Sequence, residues 1–136
     1  LASIISRGDV SAVPALLQVL YPPVSVYCRA RARDGGVPFA VADRVALDAC
    51  RAVLAELSTP GGDRDFVTLA YTIVSGAVDR AVGAANTGTA AHLRREVLIL
   101  RTIVGLDPEQ TARVLDLSPG RVRIEQHEAL KSLRAA

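Results

Sequence analysis

The sequence has few of the residues that build disulfide scaffolds or aromatic-rich cores. Two of its 136 residues are cysteines, and aromatic side chains make up only 4% of the chain. Two cysteines are too few for a disulfide framework, and neither Cys28 nor Cys50 lies in a Cys-X-X-Cys motif. We therefore expect both to be small core residues. With 50% hydrophobic residues, the shortage of aromatics favours helices packed through small side chains over a β-sandwich.

Long apolar runs and a secretory leader are also missing. No stretch approaches the ~20 apolar residues that a membrane-spanning helix requires. The first residues do not combine a charged head, an apolar stretch and a small-residue cleavage site. The sequence therefore predicts a cytoplasmic protein without membrane insertion. Because the chain begins with Leu1 instead of Met, we expect it to be part of a longer protein.

Charge of either sign is nearly balanced, with 16 basic and 14 acidic residues. Residues 1–84 carry eight of each sign, whereas residues 85–136 carry eight basic and six acidic side chains. The C-terminal part thus has a weak basic bias. It is not the strongly basic surface that is typical of a non-specific nucleic-acid binder.

The organisation of the chain follows from its helix breakers. Residues 84–90 are small, polar and uncharged, which predicts a linker between two helical segments. Before the linker, apolar residues recur with helical spacing, and we expect Pro22 and Pro23 to interrupt the first helix. The pattern predicts an all-α protein of two small helical domains, residues 1–83 and 91–136.

Capping signals near the C-terminus predict a pair of short helices. Gly105 is typical of a helix end, and Asp107 with Gln110 comes close to a capping box. Ser118 followed by Pro119 then predicts the start of a final helix. Two short helices joined by a turn of three or four residues are typical of a DNA-binding helix-turn-helix.

The final helix would read DNA through outward basic side chains. Arg121 offers a planar fork that matches guanine O6 and N7 in the major groove, and basic residues also neutralise phosphate. The alternative is an ordinary solvated helix face, which Glu125 and Glu128 favour because carboxylates repel phosphate. The residues expected on the inner face of this helix are Val122, Gln126, Ala129 and Leu133.

The motifs of the C-terminal segment follow one another in a familiar order. They are residues 95–101, 104–106, 110–112, 117–123 and 126–130. This run resembles the promoter-binding C-terminal domain of bacterial RNA polymerase sigma factors, specifically the extracytoplasmic-function (ECF) group of the actinobacterial sigma D type. Gly8-Asp9, residues 27–31, Asp43 with Asp48, and Phe66 with Tyr71 and Ile73 resemble the N-terminal domain of the same family.

The resemblance implies a sigma domain 2-like helical bundle at residues 1–83 and a sigma domain 4-like helix-turn-helix at residues 91–136. It implies core RNA polymerase, through its β and β′ subunits, promoter DNA and an anti-sigma factor as partners. The implied polymerase contacts are Asp43, Leu47 and Asp48, and the implied contacts to the −10 element are Phe66, Leu69 and Tyr71. The implied contacts to the −35 element are Ser118, Gly120, Arg121, Arg123, Ile124, His127 and Lys131.

Other classes of function stay open at this point. Leu47 and Leu69 stand where the family usually has a glutamine and a large aromatic residue, and Glu128 stands at a commonly basic position. These departures favour a sigma-like module that binds an anti-sigma protein or another regulator. A plain helix-turn-helix regulator that dimerises or senses a signal through residues 1–84 is a third possibility. The sequence contains no catalytic triad motif or phosphate-binding glycine loop, so we expect no enzyme activity, metal site or cofactor.

Overall fold

The structure, a computed structural model, describes residues 13–57, 65–83 and 88–135. All regular structure in these ranges is helical, which confirms the predicted all-α class. The elements are α1 (Val13–Asp34), α2 (Phe39–Leu57), α3 (Phe66–Val82), α4 (Ala90–Leu98), a π-helical segment (Ile99–Val104), α5 (Pro108–Leu115) and α6 (Pro119–Ala135). The chain divides into two compact units, Leu1–Gly83 and Ala84–Ala136. None of the helices described combines the length and the apolar character needed to cross a membrane.

Helix α1 runs unbroken through Pro22 and Pro23, so the predicted interruption is wrong. The prolines remove two donors that would have bonded the carbonyls of Gln18 and Val19. All four residues are exposed, so water can reach the freed carbonyls. The opposite face packs continuously on both sides of the prolines, and this packing outweighs the local preference for a break. Its buried residues are Leu16, Leu20, Val24 and Tyr27.

The core of the first unit is built from small side chains, as the composition predicts. Helix α2 buries Ala42, Ala46, Ala49, Cys50, Val53 and Leu54. Cys28 and Cys50 are free and almost fully buried, which confirms that they are core residues. Burial raises the pKa of the Cys28 thiol to about 12 and that of Cys50 to about 11. Both thiols are therefore protonated and unreactive at neutral pH.

A buried cation joins the first and third helices of this unit. Arg31 on α1 is 6% exposed and donates hydrogen bonds to the Tyr27 hydroxyl and to the carboxylate of Asp79 on α3. Tyr27 also meets the ring of Tyr71 edge-on, with the centroids 6.0 Å apart. A charged side chain at such depth is stable only when it is paired and hydrogen-bonded. Asp79 thus fixes α3 against α1 at a defined position.

The second unit packs around a compact apolar cluster of Val97, Ala112 and Val122, with Leu115 and Leu117 against it. The π-helical turn that follows α4 buries two neighbouring residues, Ile99 and Leu100. The turn ends at Gly105, whose φ of 91° lies in the left-handed region, as its predicted role as a helix terminator requires.

Candidate nucleic-acid interface

Helix α5 begins with a complete capping box. The Asp107 carboxylate accepts a hydrogen bond from the Gln110 amide at 2.7 Å, and the Gln110 side-chain oxygen accepts from the Asp107 amide at 3.1 Å. Two backbone donors that the helix leaves unsatisfied are thus paired. The predicted helix start at this position is confirmed.

A three-residue turn connects α5 to α6. Asp116 ends α5 in the left-handed conformation, with φ 57° and ψ 49°. Aspartate tolerates this conformation better than most residues. The Leu117 amide then donates to the Ala112 carbonyl at 2.8 Å, and the Ser118 hydroxyl accepts from the Arg121 amide at 3.1 Å. The last contact confirms Ser118 as the cap of the final helix, and the two helices have the connection of a helix-turn-helix.

Helix α6 presents one side to solvent and the other to the core. Val122 is fully buried and Ala129 is 8% exposed, as expected for the inner face. All seven residues that the family resemblance implies as contacts to the −35 element are exposed, namely Ser118, Gly120, Arg121, Arg123, Ile124, His127 and Lys131. At about 100° per residue, Gly120, Ile124, His127 and Lys131 lie along one line of the helix, flanked by the two arginines. Their contacts with DNA stay predictions.

The inner face of α6 differs from the prediction at Leu133, whereas Gln126 is directed inward as expected. Leu133 is 60% exposed, because residues 131–135 all lie in solvent at the end of the helix. Gln126 is half-buried, and its side-chain oxygen accepts a hydrogen bond from Arg101 at 3.1 Å. Arg101 also donates to the Leu106 carbonyl at 2.7 Å, so it joins α6 to the turn after the π-helical segment.

Glu125 does not lie on the exposed face, where it was expected to repel phosphate. Its side chain is 6% exposed and forms ion pairs with two arginines. Oε2 accepts from Nε of Arg94 on α4 at 3.2 Å, and Oε1 accepts from Nε of Arg121 at 3.2 Å. The i,i+4 spacing of Arg121 and Glu125 is visible in the sequence, but the pairing with Arg94, 31 residues away, is not.

The three candidate polymerase contacts on α2 have different environments. Both carboxylate oxygens of Asp43 accept hydrogen bonds from Arg29 on α1, each at 2.8 Å. These bonds to Arg29 lower the pKa of Asp43. Leu47 is half-buried, whereas the Asp48 side chain is 67% exposed and lies 3.8 Å from Arg51. Asp48 is therefore the more accessible of the two carboxylates.

The candidate −10 contacts do not form a single cluster. Phe66, Leu69 and Tyr71 are all half-buried on α3. Phe66 and Leu69, three residues apart, share one side of the helix, whereas Tyr71 lies about 140° around it from Phe66. Tyr71 packs edge-on against Tyr27 of α1, so part of its ring is covered by a contact within the first unit.

Comparisons with known proteins point to one group. No protein-family model matches the chain, and no solved structure matches it. The ECF RNA polymerase sigma factor SigD of Mycobacterium tuberculosis strain H37Rv is 29% identical over 164 aligned positions, covering 93% of this chain and 77% of that protein. SigD of Mycobacterium bovis matches to the same extent. The ECF RNA polymerase sigma factor ShbA of Streptomyces griseus is 55% identical over 42 residues, which span 31% of this chain and 22% of that relative. These relatives confirm the resemblance inferred from the sequence motifs.

Proposed function

From the similarity of this chain to ECF RNA polymerase sigma factors of the SigD type, which extends over 93% of its length, we propose that it is a promoter-specificity factor. It binds core RNA polymerase, through the β and β′ subunits, and directs the enzyme to promoters. The polymerase performs the chemistry, and this chain supplies recognition. An anti-sigma factor is the proposed regulator that holds the protein inactive.

The observation that supports DNA recognition best is the exposed side of α6. A helix that follows a short turn and carries outward basic side chains fits the major groove. Arg121 and Arg123 flank the exposed line near the start of the helix, where recognition helices contact bases. Lys131 and Arg134 lie exposed near its end and are the proposed phosphate contacts.

The first unit has the proposed role of binding polymerase and the −10 element. Asp48 projects into solvent from α2, and an exposed carboxylate suits a basic surface on the polymerase clamp. Phe66 and Leu69 are the proposed −10 contacts on α3, since they share one side of that helix. Leu69 would bind the unpaired bases of the −10 element through apolar contact, because leucine has no ring on which a base can stack.

Binding to core polymerase tests the proposal directly. The full chain is incubated with core RNA polymerase, the complex is purified, and its transcripts from a promoter library are sequenced. We expect a stable complex and transcripts that share an upstream sequence element. The Asp48→Asn variant should bind polymerase more weakly, whereas Glu109→Gln, which removes one exposed negative charge from α5, should not. A folded protein that neither binds polymerase nor changes promoter choice would refute the proposal.

The pairing of Asp43 favours a second candidate function. Both of its carboxylate oxygens are engaged by Arg29, and Leu69 replaces the aromatic residue usual in the family. A sigma-like module that binds a regulator without starting transcription would need neither a free carboxylate at Asp43 to bind polymerase nor an aromatic ring at Leu69 to bind DNA. Formation of a polymerase complex in the experiment above separates the two candidates, because only the initiation factor forms one.

A further inference from the structure

We propose that Glu125 is a positioning residue that orients the Arg121 guanidinium for reading a base. The sequence preference of α6 would then depend on a buried carboxylate that does not itself contact DNA. This inference rests on the proposed function, since it assigns the residue that determines how the same helix recognises its site.

The geometry of the pair leaves the reading end of Arg121 available. Glu125 holds Arg121 at Nε, 3.2 Å from Oε1, while the Arg121 side chain is 54% exposed. Within the part of the chain that the structure describes, the two terminal nitrogens of Arg121 make no hydrogen bond. These two nitrogens can form the bidentate contact to guanine O6 and N7. The ion pair therefore restricts the side chain without occupying the donors that recognition uses.

Arg94 makes Glu125 a rigid support. The second oxygen of the carboxylate accepts from Arg94 Nε, and Arg94 belongs to α4 and not to the recognition helix. A carboxylate that is 6% exposed needs such compensation, because an unpaired buried charge is costly. The two contacts hold the Glu125 side chain between α4 and α6. The orientation of Arg121 therefore depends on the packing of α6 against α4.

Arg123 provides a contrast on the same helix. It is exposed, and no ion pair or hydrogen bond of its side chain is found among the described residues. A flexible arginine must lose rotamer freedom when it binds, whereas a side chain ordered beforehand avoids most of this cost. For one such side chain, the usual cost of ordering corresponds to an affinity difference of about 2- to 12-fold.

The inference is tested on DNA preference. The full chain with core polymerase is bound to a duplex library with a randomised −35 region, and the ratio of affinities for the selected and a scrambled sequence is measured. We expect Glu125→Gln to lower this ratio about 2- to 12-fold, through weaker binding to the selected sequence. Glu128→Gln removes the same charge from the same helix and should leave the ratio unchanged. Equal ratios for the two variants, or a higher ratio for Glu125→Gln, would overturn the proposed positioning role.

A substitution of Arg121 distinguishes positioning from general damage. In an Arg121→Ala background, adding Glu125→Gln should not lower the ratio further, because the residue that Glu125 positions is already gone. A further fall would mean that Glu125 acts through the stability of the unit and would refute positioning. If the unsubstituted protein shows no sequence preference at all, the proposed function fails and this inference fails with it. A preference that Glu125→Gln leaves undiminished refutes the positioning role alone.

The unsubstituted protein offers a measurement that does not depend on the folding of any variant. Nitrogen-15 relaxation of the arginine Nε groups reports side-chain motion on the picosecond to nanosecond timescale. We expect Nε of Arg121 to be markedly more rigid than Nε of Arg123 in the absence of DNA. Equal mobility of the two groups would overturn the proposal whether or not Glu125→Gln folds.

Discussion

Val122 is the most completely buried side chain of α6. It is fully buried and forms a cluster with Val97 and Ala112. Val122→Ala removes two methyl groups, each worth about 0.8 kcal/mol of burial. The cavity left behind adds to this loss, so we expect the free energy of unfolding of the second unit to fall by about 2 to 3 kcal/mol.

Hydrogen exchange of the α6 backbone amides measures this change within the second unit. A loss of 2 to 3 kcal/mol corresponds to exchange that is roughly 30 to 140 times faster for amides protected by unfolding of the unit. Leu133→Ala is the matched control, because it truncates a larger side chain on the same helix that is 60% exposed. We expect it to change the stability by less than about 0.5 kcal/mol. Equal effects of the two substitutions would refute the assignment of the inner face of α6.

Three further outcomes are expected. Arg121→Ala should weaken binding to the preferred −35 sequence by about 1 to 3 kcal/mol in a salt titration, whereas equal weakening on all sequences would make Arg121 a phosphate contact. Arg29→Ala should raise the pKa of Asp43 toward 3.8, as measured by carboxyl-carbon NMR. Because Arg29 lowers the pKa of Asp43 in the folded protein, the pair stabilises the fold at pH values above the unfolded-state pKa. This stabilisation is lost as the pH falls through the lowered pKa. Gly105→Ala should destabilise the second unit by about 1 to 2 kcal/mol in thermal melts, because a φ of 91° disfavours any residue with a side chain. Steric contact is not the cause, since nothing lies within 4 Å of the added carbon. Gly120→Ala, within helix α6, should not destabilise the unit.

The features that sequence analysis predicted correctly are those that local chemistry determines. The capping box of Asp107 and Gln110, the Ser118 cap and the Gly105 terminator each depend on residues within a few positions of one another. Their hydrogen bonds form whenever the backbone begins or ends a helix at that point, so residue type and spacing are sufficient to predict them.

The features that were wrong or missed depend on tertiary contacts. Local rules predict a break at Pro22 and Pro23, but packing of the opposite face of α1 keeps the helix continuous. The buried Arg31 meets Asp79 from 48 residues away, and Glu125 meets Arg94 from 31 residues away. A single sequence gives no signal for such pairs, because charge alone does not reveal which charged residues fold against each other.

Burial determines what the two arginine–carboxylate pairs mean for recognition. The pair of Arg29 and Asp43 is solvent-exposed, with 47% and 35% of the side chains accessible, and water screens it. A basic group of a partner would therefore replace Arg29 at a small cost, so this pairing weakens the proposed contact of Asp43 with polymerase without abolishing it. Glu125 is 6% exposed, so it loses more stabilisation than an exposed carboxylate does when one of its two arginine partners is withdrawn. If Arg121 reads a base as proposed, Glu125 therefore favours the orientation in which the base meets this side chain.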